Sequence, residues 1–137
     1  MKLNLCATLA GMALLLQVPV LAHHSFQAEF DEKKLFQLTG VLAKVDWSNP
    51  HTYFYLDVKD EKGEVQRWAL ESFGPAQMRR TGLSRAGLFK PGETYTITVC
   101  GAKDGSKNLA WVKDVKFPDG KTITIGTITW AGAELTN

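Results

Sequence analysis

The chain has 137 residues, of which 45% are hydrophobic and 22% are charged, and its 16 basic and 14 acidic residues give a formal net charge of +2 at pH 7. This composition predicts a globular chain and excludes an extensively disordered one. Nucleic-acid binding depends on clustered basic residues, so the near balance of charge argues against a protein dedicated to a polyanion.

The first 22 residues have the three-part pattern of a secretory signal peptide. Lys2 supplies a positive charge, the run from Leu3 to Ala22 contains no charged residue, and Val20-Leu21-Ala22 ends it with the small residues of a cleavage site. We therefore expect cleavage after Ala22, a periplasmic or secreted protein, and no stable membrane insertion after cleavage. The alternative is a retained anchor, because the apolar run is of borderline length for a membrane span.

Residues 23–137 are expected to form a single domain. Cleavage leaves 115 residues, with 15 basic and 14 acidic side chains, which suits one hydrophobic core. Of the two cysteines only Cys100 remains, so no disulfide can form within one processed chain. Cys100 lies in a strand-like run, where an unpaired cysteine is usually a buried apolar side chain.

The processed chain begins with three strand patterns. Residues 38–47 alternate with the two-residue period of a half-buried strand, which places four side chains on one face: Val41, Ala43, Val45 and Trp47. Ser48-Asn49-Pro50 interrupts this pattern. Residues 51–58 alternate again, with Tyr53 and Tyr55 on the face opposite Phe54 and Leu56. A turn over residues 60–64 leads to a third strand over residues 65–72.

The pattern changes after Gly74. Residues 75–88 lack the alternation and begin with Pro75, which suits the first turn of a short helix. Residues 94–101 restore the alternation, with Tyr95, Ile97 and Val99 on a common side. A further strand over residues 109–117 is joined to residues 122–126 by Asp119-Gly120, a dipeptide typical of a hairpin turn.

Three strands, a helix and two or more further strands follow the order of the OB fold. We therefore predict an all-β domain with one short helix, folded as an OB-like barrel of five or six strands. Closing the sheet would also protect the edges of so many short strands. The alternative is an open two-layer sandwich, which the same periodicity fits.

Four segments resemble a family of small secreted bacterial proteins, the domain-of-unknown-function family 6152. They are HHSFQAEFD at residues 23–31, LTGVLAKVDWSNPH at 38–51, LDVKDEKGEVQRWALE at 56–71 and LFKPGETYTITVCGAKDGS at 88–106. The resemblance covers nearly the whole processed chain. It implies a bacterial, exported, single-domain protein, and it brings no established activity.

The histidines predict a transition-metal site, with copper as the preferred ion. Cleavage after Ala22 would give His23 a free α-amino group, and such a group has a pKa of about 7.7–8.0, so its neutral form is accessible near neutral pH. His51, which follows the Asn49-Pro50 turn, would complete a three-nitrogen set of the kind that Cu(II) prefers. His24 is a further candidate ligand. The set is similar to the histidine brace of secreted copper proteins, although His24 departs from that pattern.

Each histidine also has a structural alternative. His51 would then hydrogen-bond to a backbone carbonyl or to a carboxylate such as Glu71. The two leading histidines would be solvated, as chain ends usually are.

A second hypothesis places function on an aromatic face. OB folds bind sugars or extended chains across the face of their second and third strands. Five residues are the candidates for binding a small molecule, a glycan or a protein partner there: Trp47, Asn49, Tyr53, Tyr55 and Glu71. The alternative is ordinary core packing, to which aromatic side chains contribute much area.

The sequence contains no Gly-x-Ser-x-Gly, phosphate-loop, His-Glu-x-x-His or Cys-x-x-Cys motif. We therefore expect a binding protein rather than an enzyme. Its expected partner is a metal ion or a small ligand, a protein partner is the further option, and no nucleic acid is expected.

Overall fold

The computed structural model describes residues 26–83, 87–125 and, for the backbone, 134–135. The elements in chain order are α1 (Phe26–Glu29), β1 (Phe30–Trp47), β2 (Thr52–Lys59), β3 (Val65–Glu71), α2 (Pro75–Arg80), β4 (Thr94–Ala102), β5 (Leu109–Lys116), β6 (Thr122–Thr124) and β7 (Glu134–Leu135). The predicted signal peptide, His23 and His24 lie outside the described residues. Within the described ranges, no helix has the length and apolar character needed to cross a membrane.

Five strands close into a barrel. Hydrogen bonds join them in the ring β1-β2-β3-β5-β4 and back to β1, with β3 and β5 parallel and the other pairs antiparallel. β6 pairs with β5, and β7 pairs with β1. With α2 between β3 and β4, this is the arrangement of an OB fold. The prediction of an OB-like barrel is confirmed, and the closed ring excludes the open sandwich.

β1 is longer and more irregular than predicted. Its first part pairs with β4 and its last part with β2, and a β-bulge interrupts the register between Leu42 and Lys44. The bulge adds one residue and so reverses the inward and outward alternation. Leu42 is buried and Val41 is 42% exposed. The prediction that Val41 shares a face with Val45 and Trp47 is therefore wrong.

The faces of β2 and β4 are as predicted, and α2 is shorter than predicted. Phe54 and Leu56 of β2 are buried, as are all three predicted side chains of β4. α2 ends at Arg80, and Gly82 then adopts a positive φ of 79°, a conformation common at helix C-termini that glycine adopts without strain. Residues 84–86 of the predicted helix lie outside the described residues.

The barrel has apolar clusters on both of its faces. The interior holds the larger cluster, which includes Phe54, Leu56 and Val99. The second, called here the outer cluster, consists of buried side chains from β1, β4 and β5 with two partly buried rings packed against them: Phe30, Leu35, Cys100 and Trp111, with Phe26 and Phe73. Because neighbours along a strand point to opposite faces, Cys100 and Trp111 pack outside while Val99 and Val112 pack inside. The outer cluster holds α1 against the barrel through Phe26.

Cys100 is expected to be unreactive in the folded protein. Its side chain is fully buried, and burial, with the charges of Asp31 and Glu32, raises the pKa of its thiol to about 12. Alkylation needs the thiolate and access to it. We expect labelling of Cys100 by iodoacetamide at pH 8 to be at least about a hundredfold slower than in concentrated guanidinium chloride. Peptide mass spectrometry checks this, and rapid labelling of the native protein would contradict the burial.

Candidate functional site

Polar side chains gather on the outer face of the barrel where β2 begins and β3 ends. Tyr53 is paired with Asp46 of β1 on one side and with Glu71 of β3 on the other. Glu71 is paired in turn with Trp111 of β5. Paired residues share a face of the sheet, so these four side chains form one row. The row joins the predicted site residues of β2 and β3 to the outer cluster.

Glu71 accepts hydrogen bonds from two predicted site residues. His51 Nδ1 contacts Glu71 Oε1, and the Tyr53 hydroxyl donates to the same carboxylate. Burial raises the pKa of Glu71, against the opposing effect of His51 and of the bond from Tyr53. Burial and the charge of Glu71 raise the pKa of Tyr53 to about 12. The phenol therefore stays protonated and donates at neutral pH.

The contact with Glu71 determines which nitrogen of His51 is available. The side chain of Glu71 is 7% exposed and that of His51 is 30% exposed. When Nδ1 carries the hydrogen that Glu71 accepts, the lone pair of a neutral ring lies on Nε2. Metal-binding histidines are commonly oriented by a carboxylate in this way. The hydrogen bond to Glu71 was the sequence-based alternative for His51, and this geometry is compatible with metal binding as well.

Trp111 connects His51 to the start of the described chain. Its ring contacts His51 edge-on, with centroids 5.6 Å apart and planes at 84°. The same indole contacts Phe26 of α1 and Phe73, each with centroids 5.1 Å apart. At the other end of α1, the charge of Glu29 contributes to the raised pKa values of Glu71 and Tyr53. α1 therefore lies beside the His51 and Glu71 pair.

Backbone hydrogen bonds hold the loop that carries His51. The N–H of Thr52 donates to the carbonyl of Phe73 at 3.2 Å, and the N–H of Ser72 donates to the carbonyl of Thr52 at 2.9 Å. Gly74 allows close packing here, because a Cβ on it would lie 2.5 Å from the carbonyl oxygen of Pro50. Asn49, a predicted ligand-binding residue, precedes a cis peptide bond to Pro50. It belongs to the turn that packs against Gly74.

The structure brings the two tyrosines together and places Trp47 elsewhere. The rings of Tyr53 and Tyr55 have centroids 6.4 Å apart, and the ammonium group of Lys44 lies 4.4 Å from the centroid of Tyr55. Trp47 is paired with Thr52, which is fully buried. The ring of Trp47 packs toward the interior against Phe89, with ring centroids 6.3 Å apart. Trp47 therefore lies on the opposite face of the sheet from the tyrosine pair.

Sequence reasoning did not include Trp111 and Glu29 in the site. Trp111 lies 40 positions beyond Glu71 in the sequence, and only the pairing of β3 with β5 makes them neighbours. Glu29 lies in a single turn of helix that ends where β1 begins. Trp111 lies outside the four family segments, and Glu29 lies in the first of them, HHSFQAEFD, where the histidines and not the carboxylate pointed to a site.

The metal ligands remain a prediction. His51 is the one histidine within the described ranges, where no group of three or more His, Cys, Asp or Glu side chains is arranged to hold a metal ion. The other two predicted ligands, His23 and His24, precede these ranges.

Comparisons with known proteins identify the family. None of the curated proteins is a significant match. The mitochondrial single-stranded DNA binding protein of S. cerevisiae is a structural match with a TM-score of 0.45 and 8% identity, which covers 67% of this chain and 95% of that chain. The model of a family of unknown function, DUF6152, matches residues 12–110. The match covers well over half of the sequence, so the chain belongs to the DUF6152 family, as its motifs indicated.

Proposed function

We propose that this protein binds a copper ion outside the bacterial cytoplasm. The ligands are Nε2 of His51 and the amino and imidazole nitrogens of His23, which cleavage after Ala22 makes the first residue. His24 is the alternative imidazole. The observation that carries the proposal is the contact of both His51 and Phe26 with the ring of Trp111.

The contact supports the proposal because it limits how far the leading histidines are from His51. Phe26 lies three residues after His23, and three peptide units span at most about 11 Å between Cα atoms. Phe26 and His51 contact the same indole, so the chain joins the barrel at the end where His51 lies. A leading segment anchored at the opposite end would place its nitrogens out of reach.

The orientation of His51 also supports copper binding. Glu71 accepts the hydrogen of Nδ1, and the ring, at 30% exposure, is open to the outer face. A neutral imidazole nitrogen with a carboxylate behind it is a strong metal donor. Three nitrogens with an amino terminus among them suit the tetragonal coordination of Cu(II).

The test compares the processed chain with the same chain carrying one additional residue before His23, called here the extended chain. The added residue moves the α-amino group away from the imidazole of His23 and so removes the chelate. We expect the processed chain to bind one equivalent of Cu(II), with nitrogen hyperfine structure in its electron paramagnetic resonance spectrum. We expect the affinity of the extended chain to be at least about tenfold lower, because a chelating nitrogen is lost.

Mass spectrometry of the protein exported by its host establishes whether the first residue is His23. A terminus elsewhere, or equal copper affinities for the two chains in a competition titration with a chelator, would contradict the proposed ligand set.

The tyrosine pair favours a second candidate, the binding of a glycan to the outer face of β2. Tyr53 and Tyr55 lie side by side there, on the face that OB folds use for extended ligands. Tryptophan fluorescence against a panel of oligosaccharides, in metal-free buffer, separates the two candidates. Glycan binding that Tyr55→Ala abolishes and His51→Ala retains would support this candidate in place of copper.

A further inference from the structure

Tyr55 belongs to a row of outward-facing side chains that crosses four strands. It is paired with Lys44 of β1 on one side and with Ala69 of β3 on the other, and Ala69 is paired in turn with Leu109 of β5. Alanine carries only a methyl group, so it covers little of the ring beside it. The ring of Tyr53, with its centroid 6.4 Å away, extends the aromatic surface along β2. The tyrosine pair therefore offers a ligand two neighbouring rings.

An ammonium group already lies on this pair. The Nζ atom of Lys44 is 4.4 Å from the centroid of Tyr55, which is within the range of a cation–π interaction. The lysine is exposed, and none of the carboxylates within the described ranges forms an ion pair with it. Lys44 is therefore a cation whose partner is the ring. So exposed a contact is weak enough for a ligand to replace it.

A sugar that stacks on Tyr55 must displace this ammonium group. The negative face of the ring attracts the ammonium group and the C–H bonds of a sugar alike, and one partner excludes the other. A neutral sugar would leave the displaced ammonium group with water alone. A sugar that carries a carboxylate would give it a charge-assisted hydrogen bond beside the ring. The acidic sugar therefore gains a contact that the neutral sugar lacks.

The other charges on this face limit how many carboxylates the ligand can carry. Asp46 and Glu71 are the pairing neighbours of Tyr53, and both are acidic. The guanidinium group of Arg67, in the next row of the same face, already donates two hydrogen bonds to Asp57, at 2.7 and 2.8 Å. A ligand with a negative charge on every unit would be repelled by the two acidic neighbours. The face therefore fits a ligand with a single negative charge.

We propose that the tyrosine pair binds a glycan that carries one uronic acid. Its sugar rings stack on Tyr53 and Tyr55, and the carboxylate of the uronic acid pairs with the ammonium group of Lys44. This inference rests on the glycan candidate given above and names the chemical class of its ligand, and copper plays no part in it. The tyrosines supply the stacking, and Lys44 determines the preference for an acidic sugar.

The test compares three matched pairs of oligosaccharides by isothermal titration calorimetry in metal-free buffer. The pairs are built on xylose, glucose and galactose, and each consists of a neutral chain and the same chain carrying one uronate. We expect the uronate-bearing member of at least one pair to bind about tenfold more tightly than its neutral partner, the effect of one charge-assisted hydrogen bond. This preference is expected to fall in about 1 M salt, because salt screens exposed charges.

Lys44→Met is expected to change the two affinities of a pair in opposite directions. The variant keeps the length of the side chain and removes its charge. The neutral chain no longer displaces a cation from Tyr55, so its binding is expected to strengthen by about two- to fivefold. The uronate-bearing chain loses its ion pair and is expected to bind about two- to fivefold more weakly, so that the tenfold preference disappears. A folding defect would instead weaken the binding of both chains.

Two further variants complete the comparison. Lys44→Arg keeps a cation beside the ring and is expected to retain the preference for the uronate. Lys59→Met is the matched control, because Lys59 is an exposed lysine of the same strand, four residues from Tyr55 and on the same face. It is expected to leave both affinities unchanged.

Several results would overturn the inference. Equal affinities of the wild-type protein for the two members of every pair, or a preference that Lys44→Met retains, would remove the role of Lys44 and leave glycan binding intact. Loss of the preference in Lys59→Met would do the same. Tighter binding of a single-stranded thymidine oligonucleotide than of any oligosaccharide would assign the face to nucleic acid. Binding of none of the oligosaccharides would overturn the glycan candidate itself.

Discussion

Replacement of His51 by alanine is expected to weaken Cu(II) binding by more than about a hundredfold. The substitution removes a ligand, and the loss of a partner that merely orients a ligand already costs about 10–100-fold in metal affinity. His51 is partly exposed, so the variant should fold. Competition titrations with a chelator of known copper affinity measure the change, and circular dichroism confirms that the barrel is intact.

Glu71 and Arg67 provide the comparisons for this prediction. Glu71→Ala leaves Nδ1 of His51 without its acceptor. This variant is expected to bind copper about 10–100-fold more weakly than the unchanged protein. Glu71→Gln keeps an oxygen acceptor for Nδ1 and is expected to lose less copper affinity than Glu71→Ala. Arg67→Ala is the control, because Arg67 lies on the same strand and is paired with Asp57, at 2.7 Å, rather than with the His51 cluster. Equal copper affinities of His51→Ala and Arg67→Ala would contradict the role of His51.

Replacement of Trp111 by alanine is expected to lower the free energy of unfolding by about 3–5 kcal/mol. The side chain is 3% exposed, and its ring contacts four other rings: Phe26, Phe30, His51 and Phe73. The substitution opens a cavity at the centre of the outer cluster. The loss is a large part of the 5–15 kcal/mol by which a native domain is usually stable. Urea unfolding followed by circular dichroism measures it.

Trp68 provides the control for size and residue type. It is only partly buried, and its ring contacts Phe36, with centroids 5.9 Å apart. Trp68→Ala is therefore expected to cost less than Trp111→Ala, because less apolar area is lost from the core. If both variants lose the same free energy of unfolding, the outer cluster does not make the contribution that its burial implies.

The two largest effects involve the same small region. Trp111 supports His51 on one side and α1 on the other, so its packing and the proposed ligand geometry are linked. The barrel interior, which includes Phe54 and Leu56, lies on the other face of the sheet, and Phe73 packs against both clusters.

The sequence alone determined the features that follow from short-range periodicity and turn chemistry. The alternation of residues 51–58 placed Phe54 and Leu56 inside and the two tyrosines outside, as observed. Pro75 marked the first turn of α2, and the order of the elements led to the OB-like barrel. Each of these signals depends on residues a few positions apart in the sequence. For such residues the local backbone geometry determines which way the side chains point, and the burial of the apolar side chains favours the same arrangement.

Only the tertiary structure decided the position of the bulge in β1 and the make-up of the site. β1 pairs with β4 along its first part and with β2 along its last part, and the bulge lies where it pairs with β2. Its position depends on the partner strands, so the sequence of β1 cannot specify it. His51, Glu71 and Trp111 are separated by 20 and 40 positions. The pairing of β2 with β3 brings His51 to Glu71, and the pairing of β3 with β5 brings Glu71 to Trp111. Strand register depends on the packing of the whole barrel, because sliding one strand by a residue would reverse the face of every side chain on it.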